Sequence, residues 1–180
     1  SLTRLLKTCK NMQKLAMARN DKLFDNLDSS GDFYLDFTKS LEANTTLQEL
    51  NLTQCHITSE LATRLFQALE RNASLSTLDI RSVSAENISE VLASSLPDIR
   101  GLATLRAHLD LKCPALRQAL SRNTSLTNIS LSHGLLDNEI CQSLLRNRRL
   151  CKVSILLKDR SMLCESNWPF CAKRFVGQDG

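Results

Sequence analysis

Apolar positions recur along the chain in one frame, L-x-x-N-x-x-L-x-x-L-x-L. Leu41, Asn44, Leu47, Leu50 and Leu52 fit it, and so do Leu69, Asn72, Leu75, Leu78 and Ile80. The set Leu120, Asn123, Leu126, Ile129 and Leu131 repeats it, followed by Leu144, Asn147, Leu150, Val153 and Ile155. Two looser copies run through Leu96, Ile99, Leu102, Leu105, Ala107 and through Leu6, Cys9, Met12, Leu15, Met17. The copies start at 6, 41, 69, 96, 120 and 144, at spacings of 35, 28, 27, 24 and 24 residues. A fixed period of this size predicts a stacked-repeat architecture, with one insertion in the first unit.

Each part of the frame has a structural meaning. The L-x-L pair alternates, so both apolar side chains face one side of a short strand. Leu61, Leu65 and Leu69 recur at i+4, which predicts an amphipathic helix behind that strand. Thr58 or Ser59 can cap its start, and Glu60 suits its first turn. Comparable helices are predicted after Ser84 (Ile88, Leu92, Leu96) and after Asp137 (Ile140, Leu144). In the fourth unit, Pro114 suits a first helical turn that turns Leu116 and Leu120 inward.

The Asn three residues after the last helical Leu sits where the chain leaves the helix. Asn tolerates the left-handed conformation that ends helices, so Asn44, Asn72, Asn123 and Asn147 are expected to act as stop signals. The Asn-x-Ser/Thr sequons at Asn44, Asn72 and Asn123 are then by-products of the repeat rather than glycosylation signals. Those at Asn51, Asn87 and Asn128 are what a Ser/Thr-rich chain produces by chance.

Two stretches carry a family resemblance. "LQELNLTQCHI" (47–57) resembles the leucine-rich-repeat signature, with Cys55 at its Asn/Cys position, and "MQKLAMARN" (12–20) does so with Asn20 there. The resemblance implies that this residue looks inward and satisfies backbone groups of the turn after the strand. The long helical repeats resemble the ribonuclease-inhibitor-like class, which includes ribonuclease inhibitor, NOD-like receptors, tropomodulin and the Ran GTPase activators. Similar repeats occur in effectors secreted by intracellular bacterial pathogens. The signature lapses at Val83, Asp110, Gly134 and Lys158.

The fold class that follows is α/β, a curved leucine-rich-repeat solenoid of about six units. Parallel strands line the concave face and helices the convex face. Residues 1–158 form the repeat domain and 159–180 a C-terminal capping segment. In that segment Trp168, Phe170 and Phe175 could cover the last unit's apolar end. The chain opens inside a repeat, so an earlier unit or a helical cap is expected before it.

Composition narrows the function. The chain has 180 residues, 42% hydrophobic and 23% charged, with a net charge of +4, too mild to imply nucleic acid. "SLTRLLKTCKNMQKL" lacks the unbroken apolar centre of a signal peptide. The longest aliphatic run, "VSILL" at 153–157, is far too short to span a bilayer. Seven cysteines, none in Cys-x-x-Cys, are expected to be reduced thiols of a cytoplasmic protein.

Candidate chemistry is sparse. "DNLDSSGDFYLD" (25–36) fails the calcium-loop spacing around Gly31 and is expected to be a solvated insertion loop. His56, His108 and His133 fall in different repeats without metal spacing and are expected on the surface. "RNRRLCK" (146–152) places Arg146, Arg148 and Arg149 where positive charge complements a helix C-terminus. It lacks the aromatic platforms of a nucleic-acid groove. No catalytic, cofactor-binding or metal site is expected.

What remains is the concave face, the usual binding surface of stacked repeats. Its candidate partner-binding residues are Glu49, Asn51, Asp79, Arg81, Arg106, His108 and Asn128. Arg81, Arg106 and His108 beside Asp79 form the most distinctive patch, because Arg is enriched at hot spots. Both arginines are expected to be surface residues whose charge reversal weakens binding without unfolding the chain. The expected function is a non-catalytic protein-interaction scaffold, monomeric, with a protein partner and neither nucleic acid nor membrane. The resemblance adds an effector acting in a host cytosol as one setting. It adds a Ran-type GTPase activator as the alternative, although the tail "AKRFVGQDG" lacks that family's acidity.

Overall fold

The computed structural model describes residues 2–20, 24, 32–83, 87–132, 138–156 and 161–164. Helices and strands alternate in the order α1 (Leu2–Thr8), β1 (Lys14–Ala16), α2 (Asp32–Ala43), β2 (Glu49–Asn51), α3 (Ser59–Arg71) and β3 (Thr77–Ile80). There follow α4 (Ile88–Ser95), β4 (Thr104–Ala107), α5 (Pro114–Arg122), β5 (Asn128–Ser132), α6 (Asn138–Arg146), β6 (Lys152–Leu156) and β7 (Ser161–Cys164). The strands form one sheet in chain order. Pairs β1 to β6 are parallel, and each helix from α2 to α6 packs against its predecessor. The predicted α/β leucine-rich-repeat solenoid is the observed architecture.

The register is the one the repeat dictates. Leu50 lies opposite Leu78, Leu78 opposite Leu105, Leu105 opposite Ile129, and Ile129 opposite Val153. All five are at most 1% exposed, so this apolar row forms the floor of the core. Leu47, Leu75, Leu102, Leu126 and Leu150 form a second buried row, and the helices close over both. On α3 the inward set is Leu61, Ala62, Leu65, Phe66, Ala68 and Leu69. Thr58 is its cap, with its hydroxyl accepting from the Leu61 N–H at 3.2 Å, and Pro114 occupies the first turn of α5.

The conserved spacing of asparagines has a different cause from the one expected. Asn72 (φ −82°, ψ 122°) and Asn123 (φ −63°, ψ 134°) are extended, not left-handed. Their side chains are buried and tie one unit to the last. Asn72 Oδ1 accepts from the N–H of Ser74 and Leu75, while its Nδ2 donates to the carbonyls of Leu41 and Asn44. Asn123 does the same with Ser125, Leu126, Leu96 and Ile99. Asn147 donates to Leu120 and Asn123, and Asn44 reaches back to Leu6. A buried amide satisfying donors and acceptors on both sides explains the residue better than helix termination does.

One rung of this ladder is missing. At the fourth unit Ile99 stands where the second, third, fifth and sixth have Asn, and Gly101 stands where Ser74 and Ser125 have hydroxyls. Ser74 Oγ donates to the Asn44 carbonyl and Ser125 Oγ to the Ile99 carbonyl, and Gly101 cannot do this for Asn72. A Cβ at position 101 would sit 2.9 Å from the Asn72 carbonyl oxygen, so the backbones approach too closely for any side chain.

After the strands the chain turns through positive φ at Arg19 (62°), Gln54 (58°) and Ser82 (56°). The next residue supports each of the first two turns. Asn20 Nδ2 and Cys55 Sγ both donate to the Met17 carbonyl, at 2.8 and 3.0 Å. Buried Cys55 takes the inward role that the resemblance implied, whereas Asn20 bonds the turn from an exposed position. At the lapsed position Asp110, the carboxylate instead accepts from the Lys112 N–H, and its own N–H donates to buried Ser89.

One other expectation needs adjustment. Residues 32–36, read as part of a solvated loop, belong to α2; residues 25–31 lie outside the described residues. Phe24 from the same insertion is buried against Phe37, ring centroids 6.0 Å apart. In the predicted capping segment, β7 pairs antiparallel with β6, a strand that the repeat frame does not contain. Trp168, Phe170 and Phe175 lie outside the described residues, as do His133, Gly134 and Lys158.

Candidate functional site

The parallel register arranges the outward strand positions in rows across the concave face. One row runs Glu49, Thr77, Thr104, Asn128, Lys152, and the next runs Asn51, Asp79, Arg106, Ser130, Ser154. Arg81 and His108 follow just beyond β3 and β4. The seven candidate residues therefore share one face. Three of them converge: Asp79, Arg81 and Arg106.

Asp79 is the centre of this cluster and corrects the expectation of an outward, solvated residue. It is 2% exposed. Arg81 covers it with a two-pronged contact, Nε to Oδ1 at 3.0 Å and Nη2 to Oδ2 at 2.7 Å. The Arg81 backbone N–H also reaches Oδ1 at 3.3 Å. Arg106 Nη1 stands 3.7 Å from Oδ2, an ionic contact too long for a hydrogen bond. Two guanidiniums from neighbouring units thus share one buried carboxylate.

Burial pushes the Asp79 pKa up, but the Arg81 side chain, its N–H, the Thr53 hydroxyl and the Arg81 charge together outweigh burial. The carboxyl is held below the ordinary aspartate value and stays ionised. The buried Thr53 Oγ1 makes no hydrogen bond of proper geometry, so we assign it only a weak electrostatic pull. The bond to Asp79 raises the Arg81 pKa, against partial desolvation. Charge reversal at Arg81 would place a carboxylate on a buried carboxylate. Arg81 is therefore not the neutral surface position that the alternation implied, because the i to i+2 contact buries its partner.

The remaining candidates are held more simply. Glu49 pairs with Lys14 at 2.8 Å in the open. Asn51 Oδ1 accepts from the Thr53 N–H at 2.9 Å, the same local turn that Asp79 makes with Arg81. Asn128 Nδ2 donates to Thr104 Oγ1 at 3.3 Å. His108 Nδ1 accepts from the Ser82 N–H at 3.2 Å, and His56 is exposed. The sequence frame contained no signal for the His108–Ser82 contact, which depends on the positive φ of Ser82.

Among the described residues no group of three or more His, Cys, Asp or Glu could hold a metal ion. No described helix is long and apolar enough to cross a membrane. Cys9, Cys113 and Cys151 carry free thiols. On the convex side a groove of about 500 Å³ runs between α5 and α6, bridged by the Arg117–Glu139 ion pair at 2.7 Å. The concave cluster offers hydrogen-bond donors and positive charge on a rigid sheet, which is equipment for binding.

No protein-family model matches the chain, and no curated protein does. Solved structures do resemble it. "Leiomodin-1 Actin-Binding Site 2 (ABS2)" superposes with a TM-score of 0.51 at 17% identity, covering 97% of this chain and 84% of that one. The tropomodulin C-terminal domain from Caenorhabditis elegans gives 0.61 at 15% identity, covering 81% and 90%. At these identities the likeness establishes the fold: this chain is an α/β leucine-rich-repeat solenoid of the architecture those two domains share.

Proposed function

We propose that the chain is a non-catalytic protein-binding scaffold that docks its partner on the concave sheet, at Glu49, Asn51, Asp79, Arg81, Arg106, His108 and Asn128. The observation that carries the reading is the Arg81–Asp79–Arg106 cluster. A buried carboxylate fixes Arg81 before any partner arrives and holds a second cation beside it, so little side-chain freedom is lost on docking. The scaffold acts as a monomer in the cytoplasm. The buried amides of Asn44, Asn72 and Asn123 support reading those three sequons as parts of the repeat, because the folded core has no room for a glycan there. The repeats are of the long, helix-backed kind that resembles the ribonuclease-inhibitor-like class.

Actin is the first partner to test, since the leiomodin structure of this fold is named as an actin-binding site. Co-sedimentation with filaments and fluorescence binding to labelled monomers are the measurements. Binding that Ser130→Tyr abolishes is the expected result, since that ring would stand on the sheet beside Arg106. No binding to either form removes actin. Binding that Ser130→Tyr leaves intact removes the concave face. GTPase activation, the alternative drawn from the resemblance, would appear as stimulated GTP hydrolysis by the same preparation.

A further inference from the structure

We infer that the concave face receives an acidic segment of a partner protein, with one carboxylate seated on the Arg106 guanidinium beside Arg81. This rests on the reading that the concave sheet is the docking surface, and it adds the chemistry of what docks.

The inference starts from charge. Among the described residues the centre of the sheet carries Arg81 and Arg106 against the single carboxylate of Asp79, leaving that centre cationic. Lys14 and Glu49 neutralise each other at one end. At the centre, Asp79 is committed to Arg81 through both oxygens and cannot also neutralise Arg106. Arg106 has its only acidic neighbour among the described residues at 3.7 Å, and it donates no hydrogen bond there. Its side chain is 49% exposed, so its donors are open to an incoming group.

A guanidinium presents five N–H donors in a planar fork that matches a carboxylate. Arg81 uses two of its own on Asp79 and has others to spare. The row neighbours of Arg106 are Asp79, already covered, and Ser130, which is small and uncharged. Among the described residues no other acidic side chain stands beside it, and Asp79 takes no hydrogen bond from its fork. A Glu or Asp side chain entering between the two arginines would gain a charge-assisted, two-pronged contact. Among the described residues no Trp or Tyr lies on the strands of this sheet, so those strands offer no such stacking platform for nucleic-acid bases.

The test uses a fluorescein-labelled octapeptide alternating Glu and Gly, its Gln counterpart, and a single-stranded oligonucleotide of equal charge. Fluorescence polarisation with the full chain at low salt should show binding of the Glu peptide alone. Arg106→Gln should weaken it by about tenfold, the scale of one charge-assisted pair. Arg106→Lys should recover only part of the loss, and Arg122→Gln on the convex α5 should change nothing. Circular dichroism melts confirm that the variants stay folded. No binding of the Glu peptide, equal loss with Arg122→Gln, or tighter binding of the oligonucleotide would each overturn the inference. The outcomes separate from those of the docking-face reading. Partner binding lost in Ser130→Tyr but untouched by Arg106→Gln sinks the acidic segment and keeps the face.

Discussion

The Asn72 side-chain amide donates to the carbonyl of Asn44 at 2.8 Å, and three units later Asn147 repeats the contact on Asn123 at 2.9 Å. Each amide also accepts from backbone N–H groups of its own unit, so a single side chain closes the turn and bonds it to its neighbour. Asn72→Ala would leave buried backbone groups of Leu41, Ser74 and Leu75 without partners. A loss of about 2–4 kcal/mol in chemical denaturation is expected. Asn51→Ala, on the half-exposed concave face, should cost far less. Equal losses would mean the ladder is decorative.

Arg81→Gln removes the fork from a buried carboxylate and should cost about 1–3 kcal/mol at neutral pH. The Asp79 pKa is lowered by folding, so the pair stabilises the protein above the ordinary aspartate value of 3.8 and ceases to do so as pH falls through the lower folded-state value. Denaturation curves of wild type and variant should therefore converge on acidification. Curves that converge on alkalinisation instead would contradict an ionised Asp79.

Gly101→Ala sets a methyl 2.9 Å from the Asn72 carbonyl oxygen and 3.2 Å from Ala73 Cα. Both are backbone atoms of a packed unit. A loss of about 1–3 kcal/mol is expected from overpacking. Gly101→Ser should not do better, although its hydroxyl would match Ser74 and Ser125. A melting temperature at or above that of the wild type for either variant would show that the units can move apart.

Leu78→Ala opens a cavity beneath the sheet and should cost about 2–5 kcal/mol. Arg106→Gln, on the adjacent strand, half-exposed and in only a long ionic contact with Asp79, should cost at most about 1 kcal/mol. Comparable losses at the two positions would mean that the strand register is wrong.

The repeat frame made most of the architecture legible. Leu-x-Leu alternation located the strands and their faces, and the i+4 leucines located helices α3 to α6. The asparagine positions were visible, but their role was not, because a side chain that bonds the preceding unit leaves the same spacing as a helix stop. At the candidate site, alternation placed Asp79 and Arg81 on the correct face and missed that one buries the other. Alternation reports direction, whereas burial depends on what the next residue but one folds over it. The β7 strand carries no repeat signal at all, since an antiparallel return obeys a different pattern.

The missing rung at Ile99 and Gly101 gives the molecule a seam. The units up to Asn72 are stitched by side-chain amides, as are those from Ile99 onward, while among the described residues no buried amide bridges the two blocks, which are joined by the β3–β4 ladder, the Ser82–His108 hydrogen bond, the long Asp79–Arg106 contact, apolar packing and helix contact. In a linear array whose cohesion is a sum over neighbours, the weakest joint sets where the chain first comes apart. Hydrogen exchange would then divide the protein into two blocks parting between residues 72 and 99. Asp79 and Arg106 face each other across this joint. An acidic guest gripping Arg81 and Arg106 together would clasp the halves, so occupancy of the concave face would register as stiffness along the whole solenoid.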